Sequence, residues 1–160
     1  MYRYYSILVI LIFPLFAQYV NYETGWEFSQ SSAQSFYIFE QIHIDGQQAE
    51  GDGWVPDLGT QSECLDNPNT CDVVGAFLND VCVGWVYADN NGETTLPIMG
   101  IDETNTQTQL ATENYCTNGD IPSIKVYDAT YGTILDLTSS EALPEWELNY
   151  AHVIFNISFA

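Results

Sequence analysis

The chain has 160 residues, of which 46% are hydrophobic and 14% aromatic, so it can build one domain with a sizeable core and is not intrinsically disordered. It carries 22 Asp and Glu against two Lys and Arg, a formal net charge of −20. A surface this acidic repels phosphate groups, which excludes nucleic acid as a partner and disfavours anionic lipid headgroups.

The first 17 residues, MYRYYSILVILIFPLFA, have the layout of a secretory signal peptide. Arg3 supplies the positive end, residues 7–16 the apolar run, and Ala17 the small residue before the cleavage point. This run is shorter than the roughly 20 residues of a membrane-spanning helix. We expect cleavage and secretion, which leave residues 18–160 as one domain that is not inserted in a membrane. A buried N-terminal strand and an uncleaved anchor are the alternatives.

The predicted elements that follow are almost all β-strands, at residues 35–45, 73–79, 81–88, 94–99, 123–129, 133–137 and 151–160. One short segment, residues 139–147, has a helical pattern after a Ser cap. About eight short strands separated by turn signals predict an all-β fold, an antiparallel β-sandwich of the Ig-like or jelly-roll type. We expect its core to include Ile38, Ile42, Val74, Phe77, Val83, Trp85, Ile124, Val126, Ile134, Val153 and Phe155.

The segment CDVVGAFLNDVCVGWVYADNNGETTLPIMG, residues 71–100, predicts two successive β-hairpins. The first turns at Asn79-Asp80 and the second at Asn91-Gly92, a pair that tolerates positive φ. Gly75 and Gly84 lie within strands, where they indicate a bulge or a close approach of two backbones. Pro97 cannot donate to a sheet ladder, so its strand is predicted at a sheet edge.

Four cysteines in an exported chain predict two disulfides. Cys64 and Cys71 bracket the turn-rich loop LDNPNT and are expected to pair, which leaves Cys82 for Cys116. Zinc is the rival interpretation, but the sequence has no C-x-x-C pair and its two His are far from the cysteines.

Four stretches together resemble a β-sandwich module that recurs in secreted surface proteins of environmental bacteria. They are GWEFSQSSAQSFYIFEQIHIDG, DVVGAFLNDVCVGWVYAD, LPIMGID and GDIPSIKVYDATYGTILDL, within residues 25–137. The shared pattern runs D-x-V-G-A-F, C-x-G, P-x-M-G-x-D and K-x-Y-D-A. The resemblance implies placement on the cell surface and brings no catalytic residues. The module usually sits inside longer chains, whereas here it follows its own signal peptide, which favours a free subunit.

Acidic loops suggest structural calcium, the only cofactor that the sequence indicates. Asp89, Asn91 and Glu93 place oxygen ligands in one turn, and Asp52 and Asp57 lie in a second loop. No complete EF-hand loop is present, and the alternative is that both loops are simply solvated.

Catalysis is not expected, because neither histidine accompanies a Ser or Cys nucleophile in a recognisable motif. Carbohydrate binding is the better candidate, and Trp54 in the polar, Gly-rich loop GDGWVPDLG is its best-placed aromatic residue. The alternative is that Trp54 caps one end of the sandwich. Trp26 and Trp85 lie in apolar strand contexts and are expected in the core.

The segment QYVNYETGWEF, residues 18–28, is a candidate donor strand for a neighbouring copy, with Tyr19, Val20 and Tyr22 as its contact residues. The terminal strand 151–160 offers the same possibility. The sequence therefore predicts an extracellular structural or adhesive surface subunit that forms homo-oligomers or filaments by strand exchange or edge pairing. A secreted carbohydrate-binding module is the alternative.

Overall fold

The computed structural model describes residues 17–56 and 61–159, so the predicted signal peptide lies, apart from Ala17, outside the described residues. Of the residues in this structure, 43% lie in strands and 9% in helices, which confirms a predominantly β fold. The described strands are β1 (Gln18–Val20), β2 (Glu27–Ser29), β3 (Gln34–Phe39), β4 (Ile42–Ile44), β5 (Gln47–Gln48), β6 (Val73–Leu78), β7 (Val81–Tyr87), β8 (Thr94–Met99), β9 (Ser123–Asp128), β10 (Thr133–Ser139), β11 (Ala151–Ile154) and β12 (Ile157–Phe159). The helices are α1 (Glu63–Asp66), a 3-10 turn (Pro68–Thr70) and α2 (Thr106–Ala111).

These strands form three sheets that share one hydrophobic core. The largest has the order β5-β4-β12-β10-β9-β6-β7, the second is β11-β3-β8, and β1 and β2 form a separate two-stranded hairpin. Core side chains come from both larger sheets, among them Tyr37, Leu96 and Val74, all fully buried. Whether the packing is of the Ig-like or the jelly-roll type stays a prediction.

Two stretches of chain run side by side through both larger sheets. β3 continues into β4 after Glu40 and Gln41, and β11 continues into β12 after residues 155–156. β11 pairs with β3 and β12 with β4, in both cases parallel, so the predicted purely antiparallel arrangement is wrong here. The terminal segment is thus paired within its own chain.

The first predicted hairpin is confirmed, because β6 and β7 pair around Asn79 and Asp80, which have φ of 48° and 68°. The register shifts between Ala76 and Phe77, as the glycine pattern predicted. A Cβ on Gly84 would lie 2.0 Å from the carbonyl oxygen of Pro97, so this glycine permits β7 to approach β8 closely.

The second predicted hairpin is wrong, because β8 pairs with β3 and belongs to a different sheet from β7. β8 is an outer strand of that sheet, and Pro97, which lies in β8, predicted an edge position. Residues 139–147 are not helical; Trp146 is buried and donates from its indole nitrogen to the Ile98 carbonyl at 3.0 Å, which holds the segment extended across the sheet.

Most of the predicted core residues are buried, and four are not. Ile42, Val74, Phe77, Val83, Trp85, Ile124 and Val126 are buried as expected. Ile38 is half-buried, because the strand crosses between sheets at Glu40 and Gln41 and its buried face changes there. Ile134 and Val153 are 49% and 55% exposed, so β10 and β11 present the opposite face from the one predicted. Phe155 is 65% exposed because it lies between β11 and β12, outside both strands.

Of the two predicted disulfides, Cys64–Cys71 is confirmed, with the Cα atoms 5.6 Å apart. The predicted Cys82–Cys116 disulfide is wrong, since both thiols are free and buried. Each is held in a different place: Cys82 pairs with Phe77 in the β6–β7 ladder, and Cys116 forms a parallel bridge with Gly100 after β8. Burial raises the pKa of both thiols to about 12, which leaves little reactive thiolate at neutral pH.

Alkylation of the unfolded, unreduced protein tests this assignment. Iodoacetamide added in denaturant should modify two cysteines, Cys82 and Cys116, and peptide mass mapping should recover Cys64 and Cys71 as one linked species. In the native state both free thiols should resist the reagent, because they are buried. A denatured protein that takes up no alkylating agent would contradict the structure.

Candidate functional site

A groove of about 310 Å³ runs between the β1–β2 hairpin, β7 and the loops on either side of Trp54. We call it the Trp54 groove; its walls are residues 18–23, Trp54, Leu65, Pro68, Trp85 and Tyr87. Leu65 and Pro68 lie within the loop that the Cys64–Cys71 disulfide closes. That disulfide therefore constrains one wall of the groove.

Three aromatic rings form a continuous cluster in this groove. Trp85 and Tyr87 lie two residues apart on β7, so both point to the same face of the sheet. The Trp54 ring centroid is 6.0 Å from that of Trp85 and 6.2 Å from that of Tyr87. Trp85 and Tyr87 are almost fully buried and form the base, Trp54 is half-buried, and Tyr22 at the rim is 89% exposed. The confirmed burial of Trp85 is thus part of the site as well as of the core.

The turn of the β1–β2 hairpin builds the opposite wall. Asn21 closes it by donating its backbone N–H to the Trp26 carbonyl at 2.8 Å, and Gly25 adopts the positive φ of 72° that the turn requires. The Asn21 side-chain oxygen accepts hydrogen bonds from the backbone and hydroxyl of Thr24. Trp26 packs against Phe77 with ring centroids 5.1 Å apart, which fixes the hairpin on β6.

The amide nitrogen of Asn21 is a buried donor without an acceptor, in a residue only 2% exposed that lines the groove. The Asn21 side chain lowers the pKa of the neighbouring Tyr87 as a hydrogen-bond partner, but the contact of its nitrogen lies outside ordinary hydrogen-bond geometry. A buried donor left unsatisfied costs roughly 1–3 kcal/mol. Because the nitrogen has almost no solvent-accessible surface, a molecule in the groove does not reach it unless the hairpin moves.

Asp52 positions Trp54 and the disulfide loop together. One carboxylate oxygen accepts from the Trp54 backbone N–H at 3.0 Å, and the other accepts from the Ser62 hydroxyl at 2.7 Å and the Cys64 N–H at 3.2 Å. Burial by itself would raise the pKa of Asp52, but these hydrogen bonds outweigh it and hold the pKa below its ordinary value. Ser62 in turn caps α1 by accepting from the Leu65 N–H.

The residues predicted for self-assembly and for glycan binding meet in this one groove. Tyr19, Val20 and Tyr22 all line it, facing Trp54. In the single chain β1 pairs with β2, in register from Gln18↔Ser29 to Val20↔Glu27, and donation of this strand to a neighbouring copy stays a prediction. Sequence reasoning missed Asn21 and Tyr87, and the N-x-x-T-G turn signal at residues 21–25 was the available clue to the former.

The residues predicted to bind calcium are only partly brought together. Asp52 and Asp89 form an isolated β-bridge between their two loops, and Asp89 accepts from the Asn91 N–H at 2.8 Å. Glu93 lines a cavity other than the Trp54 groove, and Asp57 lies outside the described residues. Within residues 17–56 and 61–159, no group of three or more His, Cys, Asp or Glu is placed to hold a metal ion. Calcium binding stays a prediction, which melting with and without EDTA tests.

Comparison of the chain with protein-family models, with curated proteins and with solved structures finds no match. The resemblance to the bacterial surface module therefore stays a prediction that rests on its motifs. Among the residues that the structure describes, no helix is long and apolar enough to cross a membrane. The Cys64–Cys71 disulfide indicates an oxidising setting.

Replacing Asp52 tests whether this carboxylate holds the groove together. Asp52→Ala should lower the free energy of unfolding by about 1–2 kcal/mol, because three donors lose their acceptor, and should shift tryptophan fluorescence as Trp54 loosens. The Asp52 pKa is depressed on folding, so its contribution is fully present above the unfolded value of about 3.9 and is lost as pH falls through the folded value.

The matched control is Asp66→Ala, an exposed acidic residue in the same disulfide loop. It should change neither stability nor fluorescence measurably. Equal effects of the two substitutions, or an Asp52 effect that persists unchanged in acid, would contradict the role assigned to Asp52.

Proposed function

We propose that this protein is an extracellular adhesive subunit that binds glycans in the Trp54 groove. The observation that carries the proposal is the contiguous cluster of Trp54, Trp85 and Tyr87 beside the exposed Tyr22 ring. Flat, apolar ring faces stack against the C–H faces of sugars, while polar groups at the edges fix their hydroxyls.

The groove has the chemical mixture that a sugar needs. Its size of about 310 Å³ lies at the lower end of ordinary ligand sites. Polar side chains from Gln18 and Glu23 line the groove beside its aromatic residues and can bind sugar hydroxyls. Asp52 holds the Trp54 backbone and the disulfide constrains residues 64–71, so binding would lose less entropy than it would in a groove with mobile walls.

The extracellular part of the proposal has two supports. Residues 1–17 have the layout of a signal peptide. The Cys64–Cys71 disulfide is typical of proteins that mature in an oxidising compartment.

Glycan binding is tested with a panel of immobilised oligosaccharides and the variant Trp54→Ala. The parent protein should bind a subset of the panel, and Trp54→Ala should lose up to about tenfold in affinity, since an aromatic contact contributes roughly 0.5–1.5 kcal/mol. Tyr131→Ala is the control, because Tyr131 is 76% exposed and lines a different cavity. Absence of binding across the panel, or equal loss in both variants, would overturn the proposal.

Self-association through β11 is the second candidate function. β11 is an outer strand of the β11-β3-β8 sheet, and in the described part of the chain it pairs only with β3. Val153 and Phe155 are 55% and 65% exposed beside it. Residues 148–160 contain no Asp or Glu, in a chain with 22 of them, although Glu141 lines one cavity with β11 and Glu147 acts electrostatically on His152.

Such an edge pairs with a second copy of itself more easily than any acidic part of the surface. Antiparallel pairing of two β11 strands about a twofold axis would close a dimer. A filament would need a second edge, and β5 at the end of the seven-stranded sheet is one of the outer strands that could supply it. This supports edge pairing rather than exchange of the N-terminal strand.

Introducing a charge at the edge tests self-association. If β11 pairs between copies, the parent protein should form dimers or larger species as its concentration rises in saline, and Val153→Lys should remain monomeric in sedimentation velocity experiments. Ile134→Lys is the matched control, because Ile134 is 49% exposed on β10, a strand paired on both sides. A parent protein that stays monomeric at high concentration would contradict this candidate.

A further inference from the structure

The charged side chains at the Trp54 groove, within the described part of the chain, are carboxylates. Glu23 lines the groove and is half-buried, and Asp52 lies at its edge behind Trp54. Burial raises the pKa of Tyr87 to about 12, and the nearby charges of Glu23 and Asp52 add to that rise. The base of the groove therefore lies in a negative electrostatic potential.

No cationic side chain of the described chain balances these carboxylates. Lys125 is the only Lys or Arg beyond residue 3, and it lies on β9, where it pairs with Asp136 at 2.8 Å. This is the only ion pair among residues 17–56 and 61–159, so Glu23 has no cationic partner there. Half-buried carboxylates are usually compensated by a positive charge, because desolvation weakens their interaction with water.

The aromatic rings favour the same sign of ligand charge. The face of a Trp or Tyr ring attracts an ammonium group, and the attraction grows when the cation is partly desolvated. The rings of Trp54 and Tyr87 are inclined at 48°, and those of Trp85 and Tyr87 at 81°. Trp54 is half-buried whereas the other two are almost fully buried, so its ring is the one that a cation in the groove can contact. A sugar carboxylate or sulfate would instead meet both the ring quadrupoles and Glu23 with repulsion.

From this juxtaposition we infer that the glycan bound in the Trp54 groove is cationic, an amino sugar whose ammonium group pairs with Glu23 while its ring stacks on Trp54. The inference rests on the proposed glycan binding and names the ligand class. A neutral sugar would satisfy the rings but would leave Glu23 uncompensated, and an acidic sugar would be excluded.

Matched ligands separate this inference from the proposed function. The probes are a glucosamine oligomer with free amines, its fully N-acetylated counterpart of equal length, and an oligogalacturonate, each titrated into the parent protein by calorimetry below the pKa of the sugar amine. We expect the glucosamine oligomer to bind about tenfold more tightly than the acetylated one, a preference that added salt reduces, and the oligogalacturonate not to bind.

Glu23→Gln should bring the ratio of the two affinities towards one, because the amide keeps the shape of the side chain and removes its charge. Glu27→Gln is the control: Glu27 is exposed on the neighbouring strand β2 and is not among the groove residues, so the ratio should stay as in the parent. Equal binding of both glucosamine oligomers, or tighter binding of the oligogalacturonate, would overturn the inference and leave the glycan proposal standing. Failure of all glycans to bind would overturn both.

Discussion

The shortage of cationic side chains is the constraint that the rest of this structure reflects. With Lys125 engaged by Asp136, a carboxylate that folds into the interior must be stabilised by N–H and O–H donors. Asp102, 4% exposed, accepts from the Ser32 backbone and from both the backbone and the hydroxyl of Thr104. Burial by itself would raise the pKa of Asp102, but these hydrogen bonds hold it well below its usual range. The carboxylate is thus a tether that joins distant segments.

The other aspartates of the motifs that resemble the bacterial surface module also accept hydrogen bonds from backbone N–H groups. Asp72 accepts from the backbone N–H groups of Glu50 and Ala129, so one side chain ties three parts of the chain together. Burial, with Asp128 and Glu50 nearby, raises the pKa of Asp72 despite those bonds. Asp128 itself accepts from two N–H groups of the turn after β9. The aspartates of D-x-V-G-A-F, P-x-M-G-x-D and K-x-Y-D-A therefore have structural roles, which gives the motif pattern a physical reason without assigning it an activity.

Local patterns predicted what depends on local structure. Apolar runs identified β6, β7 and β9, and the turn at Asn79-Asp80 formed as its residues required. Predictions from the sequence failed where the pairing of a strand depends on a segment that is distant in the chain. Asn91-Gly92 is a good hairpin turn, yet β8 pairs with β3, and no alternation in residues 35–45 shows that the strand changes sheet at Glu40. The Trp54 groove is likewise assembled from four separate segments, so the sequence could identify Trp54 but not Asn21 and Tyr87 beside it.

Adhesion and self-association would reinforce each other if both occur. The Trp54 groove and the β11 edge share no residues, since the groove lies on β7 and the hairpin, and β11 is on the side of β3 away from β8. A single shallow groove of about 310 Å³ binds few sugar rings and gives weak affinity. Two subunits joined at β11 would present two grooves to one polysaccharide, and the second contact would then form at a high effective concentration. A β11 strand without acidic residues of its own favours such an arrangement, because the rest of the acidic surface stays repulsive.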